Sequence, residues 1–176
     1  AEGIFFPDSY YFYKNTSDFE ILQNANNILM RKLKIAWDER AEELPYKNMY
    51  EALVMASIIE KEVGVREEAA IIAGVFVNRL NIGMPLQSDP TVIYGMRDKF
   101  KGNIRKKDLK KDTIYNTYVR KGIPPSPISL PSLNSIEAAL NPAKTNALYF
   151  VAKGNRRHQF SATLKEHNKA VRKYQK

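Results

Sequence analysis

Apolar residues recur along this chain at helical spacing, in blocks separated by glycine and proline. A cap-like start at Thr16-Ser17-Asp18 opens a periodic segment that carries Phe19, Leu22, Ile28, Leu29, Leu33 and Trp37 and reaches about Glu43, where Leu44-Pro45 stops it. A second helix is expected from about Lys47 to Val63 and a third from about Arg66 to Ile82, ended by Gly64 and Gly83. Asp89-Pro90-Thr91 reads as an N-cap followed by proline at the first helical position, opening a short helix through Tyr94. Four of the nine prolines fall between Pro124 and Pro131, which predicts a stiff loop. Asn134 to Leu140 predicts a short helix, Ala147 to Ala152 a strand paired with His158 to Ser161 across Lys153-Gly154-Asn155, and Thr163 to Tyr174 a closing helix. The opening residues 4–13 hold Phe5, Phe6, Tyr10, Tyr11, Phe12 and Tyr13, the composition of a short strand or an ordered aromatic arm.

Composition narrows this picture. A chain of 176 residues, 44% apolar, has material for one well-packed core. Its net charge of +9 sits on a sequence too rich in apolar residues to be a disordered polycation. Absence of cysteine removes disulfides, zinc-thiolate sites, iron–sulfur clusters and cysteine nucleophiles. With two histidines, chemistry is expected to run on carboxylates, hydroxyls or amides, and no metal site is expected. The longest apolar run, Ala69 to Val77, is about half of the ~18 residues that cross a bilayer. The opening lacks the basic start and apolar stretch of a signal peptide.

One position departs from its pattern. On a helical wheel Met49, Leu53, Ala56 and Val63 share a face, and Glu60 falls in the same stripe, seven residues after Leu53. Glu51, Lys61 and Glu62 fall on other faces, where solvated charges are ordinary. A carboxyl group desolvated on an apolar face has its pKa raised toward neutrality, the condition a general acid needs. The alternative is a side chain that reaches out at the helix end or pairs with a distant arginine such as Arg79.

Longer blocks carry a resemblance. ASIIEKEV at 56–63, VFVNRLNIGMPLQSDPTVIYGM at 75–96, IYNTYVRKGIPPSPI at 114–128, AALNPAKTNALYFVAKG at 138–154 and HQFSATLKEHNKAV at 158–171 stand in the order found in the endolytic murein transglycosylases of the MltG, or YceG-like, family, and the opening GIFFPDSYYFY is similar to that family's Gly-Tyr-Leu-Phe-Pro-Asp-Thr-Tyr. The resemblance implies a mostly helical α+β fold with a lysozyme-like catalytic core, here a single catalytic domain over 1–176: arm and lead-in helix over 1–45, core over 46–176. It implies a lytic transglycosylase that cleaves the β-1,4 bond between N-acetylmuramic acid and N-acetylglucosamine and leaves 1,6-anhydro ends, without a cofactor. The catalytic acid implied is the first glutamate of the SIIEKE block, Glu60. Partners implied are peptidoglycan glycan strands and peptidoglycan synthases, with the chain a monomer in the bacterial envelope, extracytoplasmic, behind an upstream LysM-like region and an inner-membrane anchor.

Gln87, Ser88 and Thr91 are expected to line the sugar groove, as are Tyr115, Asn116, Thr117 and Tyr118, because amides and hydroxyls bind sugar polar groups and rings cover the apolar sugar face. The alternative for 115–118 is a turn with core tyrosines. Asp89 is assigned the N-cap role and declined as a nucleophile. Pro125 belongs to a stiff cleft wall, and His158 to a substrate-orienting position or to a satisfied hairpin histidine. The chain departs from the family's Leu-Pro-Pro-Gly-Pro-Ile and Asn-Pro-Gly by placing Ser126 at the first glycine and Leu130-Pro131-Ser132 at the triplet, which questions the loop backbone but is expected to leave Glu60 untouched.

Seven of the thirteen residues from Lys99 to Lys111 are Lys or Arg, with one Asp, supplying +6 of the charge. They read as a solvated face with long-range attraction to an anionic envelope surface. The rival functions are a non-catalytic peptidoglycan-binding module and a basic nucleic-acid-binding domain; the segment lacks interleaved aromatics and a known nucleic-acid motif, so no nucleic-acid partner is expected.

Overall fold

The computed structural model describes residues 2–175. Seven helices and one hairpin follow in the order α1 (Asp18–Asp38), α2 (Met49–Glu62), a 3-10 turn (Arg66–Glu68), α3 (Ala69–Asn81), α4 (Asp89–Met96), α5 (Lys106–Leu109), α6 (Leu133–Leu140), β1 (Tyr149–Gly154), β2 (Arg157–Ser161) and α7 (Leu164–Tyr174), with a further 3-10 turn at Arg97–Lys99. The α+β, mostly helical class read from the sequence is the one observed.

Burial orders the helices around α2. Residues Ala52 through Ile59 are all buried, so α2 is enclosed on every face instead of along one stripe. It packs against α1, α3, α4 and α6, and α6 also touches α1 and α3. Helix α1 starts at a capping box in which Ser17 Oγ accepts from the Glu20 N–H and the Glu20 carboxylate accepts from the Ser17 N–H. Its buried stripe is Ala25, Leu29, Leu33 and Ala36, while Phe19 and Leu22 are exposed. The helix ends at Asp38, five residues before the expected stop, because the chain turns away there and the Ala41 N–H donates to the Leu140 carbonyl at the end of α6. The opening residues form no strand. Phe6 is buried and its N–H donates to the Ala25 carbonyl, while the Asn26 amide donates to the Ile4 carbonyl, so this segment lies as an arm along α1.

Strands β1 and β2 pair antiparallel, with Phe150 opposite Phe160 and Ala152 opposite His158. Asn155 and Arg156 form the tip, both at positive φ, so β1 runs two residues past its expected end. This tip closes over Gly64, where any Cβ would overlap the Arg156 carbonyl oxygen. Glycine after α2 therefore serves close packing as well as termination, since α2 ends on Val63 in an extended conformation.

Polar side chains tie the remaining loops to these helices. Ser57 Oγ, buried on α2, accepts from the Ile128 N–H, and Ser129 Oγ donates to the Ser57 carbonyl, fastening the proline loop across α2. Arg79, 6% exposed near the end of α3, donates to the Leu148 carbonyl from Nε and to the Leu86 carbonyl from Nη1. It holds the lead into β1 and the loop before α4 together, and forms no ion pair among the described residues. No described helix is long and apolar enough to cross a membrane.

A cavity in the centre of α2 should be costly: Ile59→Ala is expected to lower unfolding free energy by about 3 kcal/mol, read from urea denaturation followed by far-ultraviolet circular dichroism.

Candidate active site

Helix α2 delivers two glutamates from its last turn into different surroundings. Glu60 is half-buried and points at the N-terminus of α6. Its Oε2 accepts from the Ser132 N–H at 2.9 Å, from Ser132 Oγ at 2.7 Å and from Ser135 Oγ at 2.6 Å. Burial alone raises its pKa, but the serine hydroxyls, the Ser132 N–H and the neighbouring Lys61 outweigh it, and the carboxyl is held below its ordinary value. The expectation of a raised pKa at Glu60 is therefore corrected: the group is a satisfied anion at a helix N-terminus. Ser132, one of the residues expected to leave Glu60 alone, supplies two of its three donors.

Glu62 meets a different environment. It lies partly buried, not on a solvated face, and its Oε1 accepts from Ser88 Oγ at 2.6 Å. Burial raises its pKa most, the Ser88 hydrogen bond lowers it, the Asp89 charge raises it and the Arg79 charge lowers it, leaving it at about 7. Oε2 makes no hydrogen bond among the described residues and is free to carry the proton. The wheel did contain this signal: Met55, Ile59 and Glu62 are spaced i, i+4, i+7, as good a stripe as the one through Glu60. A helix apolar on all sides offers more than one such stripe.

The loop before α4 brings Ser88 to Glu62. Gln87 is exposed and left-handed at φ 52°, and its N–H donates to the Thr117 carbonyl. Ser88, 1% exposed, occupies the N-cap position of α4, and its hydroxyl is turned to Glu62 instead of capping the helix. Asp89 is the first residue of the helix, not its cap, which corrects the sequence expectation. Its Oδ1 accepts from the Tyr118 hydroxyl at 2.6 Å. Burial and the Asp89 contact raise the Tyr118 pKa, so the phenol stays a donor.

Several expected groove residues are framework. Thr91 and Thr117 are buried, their hydroxyl oxygens 2.8 Å apart, and Thr117 Oγ1 accepts from the Ser88 N–H. Asn116, 1% exposed, spends its amide on the carbonyls of Asp108, Leu109 and Lys111. His158 is engaged at the hairpin: its Nδ1 lies 2.8 Å from Glu68 Oε2, its N–H donates to the same carboxylate, and its ring packs by Phe150. This pair fixes the hairpin to the 3-10 turn after α2. Tyr115, Asn116, Thr117 and Pro125 all line a cavity of about 320 Å³, walled on its other sides by Arg120, Gly122 and Ile123. The Tyr115 hydroxyl is 2.7 Å from Ser126 Oγ. Ser126 is not at positive φ, so serine there carries no backbone strain.

Fold and site together define a helical α+β domain that presents one neutral-range carboxyl group, set against a serine, at the end of a buried central helix. Comparisons agree with this class. The model of the YceG-like family matches residues 1–173. An endolytic murein transglycosylase of Bacillus subtilis is 43% identical over 98% of this chain, and one from Streptococcus pneumoniae is 35% identical over 86%. The chain covers 48% and 28% of those relatives, so it spans half of their length or less. A crystal structure of a yceG-like protein from Listeria monocytogenes superposes with a TM-score of 0.80 at 38% identity, over 95% of this chain and 53% of that one. The chain belongs to the YceG-like family.

Because Glu60 is an ionised clamp, Glu60→Gln should destabilise the protein at pH 7 by about 1–2 kcal/mol, the scale of hydrogen bonds to a charged group. A depressed native pKa contributes stability above the unfolded value, so the deficit should shrink as pH falls through the native pKa. Urea melts of both proteins at pH 7 and pH 3 check this.

Proposed function

We propose that this chain is the catalytic part of an endolytic murein transglycosylase in which Glu62, not Glu60, moves the proton. The observation that carries the reading is the pairing of a carboxyl raised to about 7 with the Ser88 hydroxyl, one of its oxygens left unengaged. The substrate reading is supported by the relatives, which bear the name endolytic murein transglycosylase.

Protonated Glu62 donates to the bridging oxygen between N-acetylmuramic acid and N-acetylglucosamine as the bond from the anomeric carbon breaks and positive charge develops on the ring. The carboxylate formed then accepts the proton of the muramoyl 6-hydroxyl as that oxygen bonds to the anomeric carbon. The products are a free hydroxyl on one sugar and a 1,6-anhydro ring on the other, and Glu62 ends protonated as it began. Ser88 donates to Oε1 and steadies the carboxylate in the intermediate state. Asp89, exposed beside it, favours the protonated form of Glu62 by its charge and offsets the developing cation; it needs no covalent role. Gln87, Tyr115, Tyr118 and Pro125 remain as side chains for sugar contact. On this reading the domain works on glycan strands outside the membrane, as the extracytoplasmic part of an anchored protein acting near peptidoglycan synthases.

Glu62→Gln should fold as wild type and lose about 10²–10⁴ in rate, the usual weight of a general acid, with no anhydro-ended fragments by mass spectrometry of digested strands. Full activity in Glu62→Gln with loss in Glu60→Gln would return the role to Glu60, and no anhydro ends from wild type would leave a glycan-binding module. The wild-type rate should fall as pH rises through about 7, since the donor must be protonated. Removing the neighbouring charge in Asp89→Asn lowers the Glu62 pKa, so that fall should move to lower pH in kcat/KM profiles.

A further inference from the structure

The segment from the end of α4 to residue 113 encloses a second cavity, about 550 Å³, whose wall includes Arg97, Lys99, Lys101, Arg105, Lys107 and Lys111. Two acids, Asp98 and Asp108, share that wall, leaving a net charge of 6 − 2 = +4. Asp108 is already engaged, its Oδ2 accepting from the Arg105 N–H. Among the described residues none of the six cations forms an ion pair. Isolated lysines on a convex surface are ordinary, but cations gathered around a concavity keep their mutual repulsion and focus a positive potential into it. A second feature marks the same wall: Thr113 Oγ1 is buried and has no hydrogen-bond partner among the described residues. A third is Arg97, held at φ 50° and ψ −129° at the end of α4, a conformation that a non-glycine residue keeps only where its surroundings impose it.

The cavity's position relates it to the acid. Helix α4 starts beside Glu62 at Asp89 and ends in the cavity wall at Met96; its eight residues span about 12 Å at 1.5 Å each. The lining of the smaller cavity, which includes Ile114 to Thr117, is continuous in sequence with Thr113. A glycan bound at Glu62 therefore has the cationic cavity about one helix length from its cleaved bond.

We propose that this cavity is a binding site for carboxylates of the substrate's stem peptides, so that the enzyme selects glycan carrying peptides over bare glycan. The inference rests on the proposed substrate class, and carboxylates are the anions that a peptide-bearing murein strand supplies. Guanidinium and ammonium groups bind them by charge-assisted hydrogen bonds.

The test uses binding by the Glu62→Gln protein, which does not require turnover, to soluble strands with stem peptides and to the same strands stripped of them by an amidase. Peptide-bearing strands should bind about tenfold more tightly at low salt, and the preference should fade as salt screens it. In the Glu62→Gln background, Lys101→Gln, Arg105→Gln and Lys107→Gln together, all exposed positions, should bring the ratio to about one, with the circular dichroism spectrum unchanged. Equal binding of both strands, or a preference untouched by the triple substitution, overturns the proposal. Selective retention of a glycerol-phosphate polymer over peptide-bearing strands also overturns it, in favour of a phosphodiester site. Cleavage assays with wild type report separately on the catalytic reading: anhydro products without a peptide preference sink only the cavity assignment, whereas a peptide preference without products sinks only the transglycosylase.

Discussion

The burial of α2 on all sides is the constraint from which the rest follows. Such a helix gains core contacts from every face, but its last turn must leave the core, and here that turn carries two carboxyl groups separated by one lysine. What each carboxyl group meets decides its state. Glu60 meets the N-terminus of a helix and two serine hydroxyls, and stays an anion. Glu62 meets a single hydroxyl and a second negative charge at the edge of the core, and stands near neutrality. The two groups are one residue pair apart in sequence and opposite in chemistry, because three donors offset desolvation and one does not.

The protonatable carboxyl depends in turn on a loop whose polar groups are nearly all consumed internally. Arg79 pulls the Leu86 carbonyl inward; Thr117 receives the Ser88 N–H and its carbonyl receives the Gln87 N–H; Thr91 braces Thr117. Buried hydrogen bonds of this kind set position more than they add stability, since each replaces a bond to water. Their product is the aim of one hydroxyl. Gln87 in a left-handed conformation is the strain retained by that arrangement.

Element types were legible in the sequence because local chemistry agrees with tertiary packing: the Ser17 and Thr163 caps, the glycines after α2 and α3, and proline near the start of α4 each sit where the chain changes direction. Spacing alone misjudged the face. Of the large residues expected along α1, Leu29 and Leu33 face the core while Phe19 and Leu22 are exposed, and alanines at 25 and 36 complete the buried stripe, because close helix packing selects small side chains there. The site was less legible for a related reason. Thr91, Asn116 and Thr117 have the composition of a sugar subsite, and the same donors and acceptors serve equally to satisfy buried backbone; only coordinates reveal which use prevails. Glu60 and Glu62 were indistinguishable by periodicity, since the deciding donors come from residues about 70 positions downstream in one case and 26 in the other.

The departures from the family pattern bear on that difference. Where the resemblance expects glycine, Ser132 adopts φ −70° and ψ 165°, an ordinary N-cap geometry, and adds an oxygen donor to Glu60 that glycine lacks. Glycine at the same position would still offer the backbone N–H, leaving Ser135 as the one hydroxyl on the carboxylate. Ser126 likewise joins the Tyr115 hydroxyl to the proline loop. Both serines replace backbone freedom by a side-chain hydrogen bond, one to the Glu60 carboxylate and the other to the wall of the smaller cavity. Stiffening at these two points acts around Glu62 without touching it, so that carboxyl keeps the sparse hydrogen bonding on which its raised pKa depends.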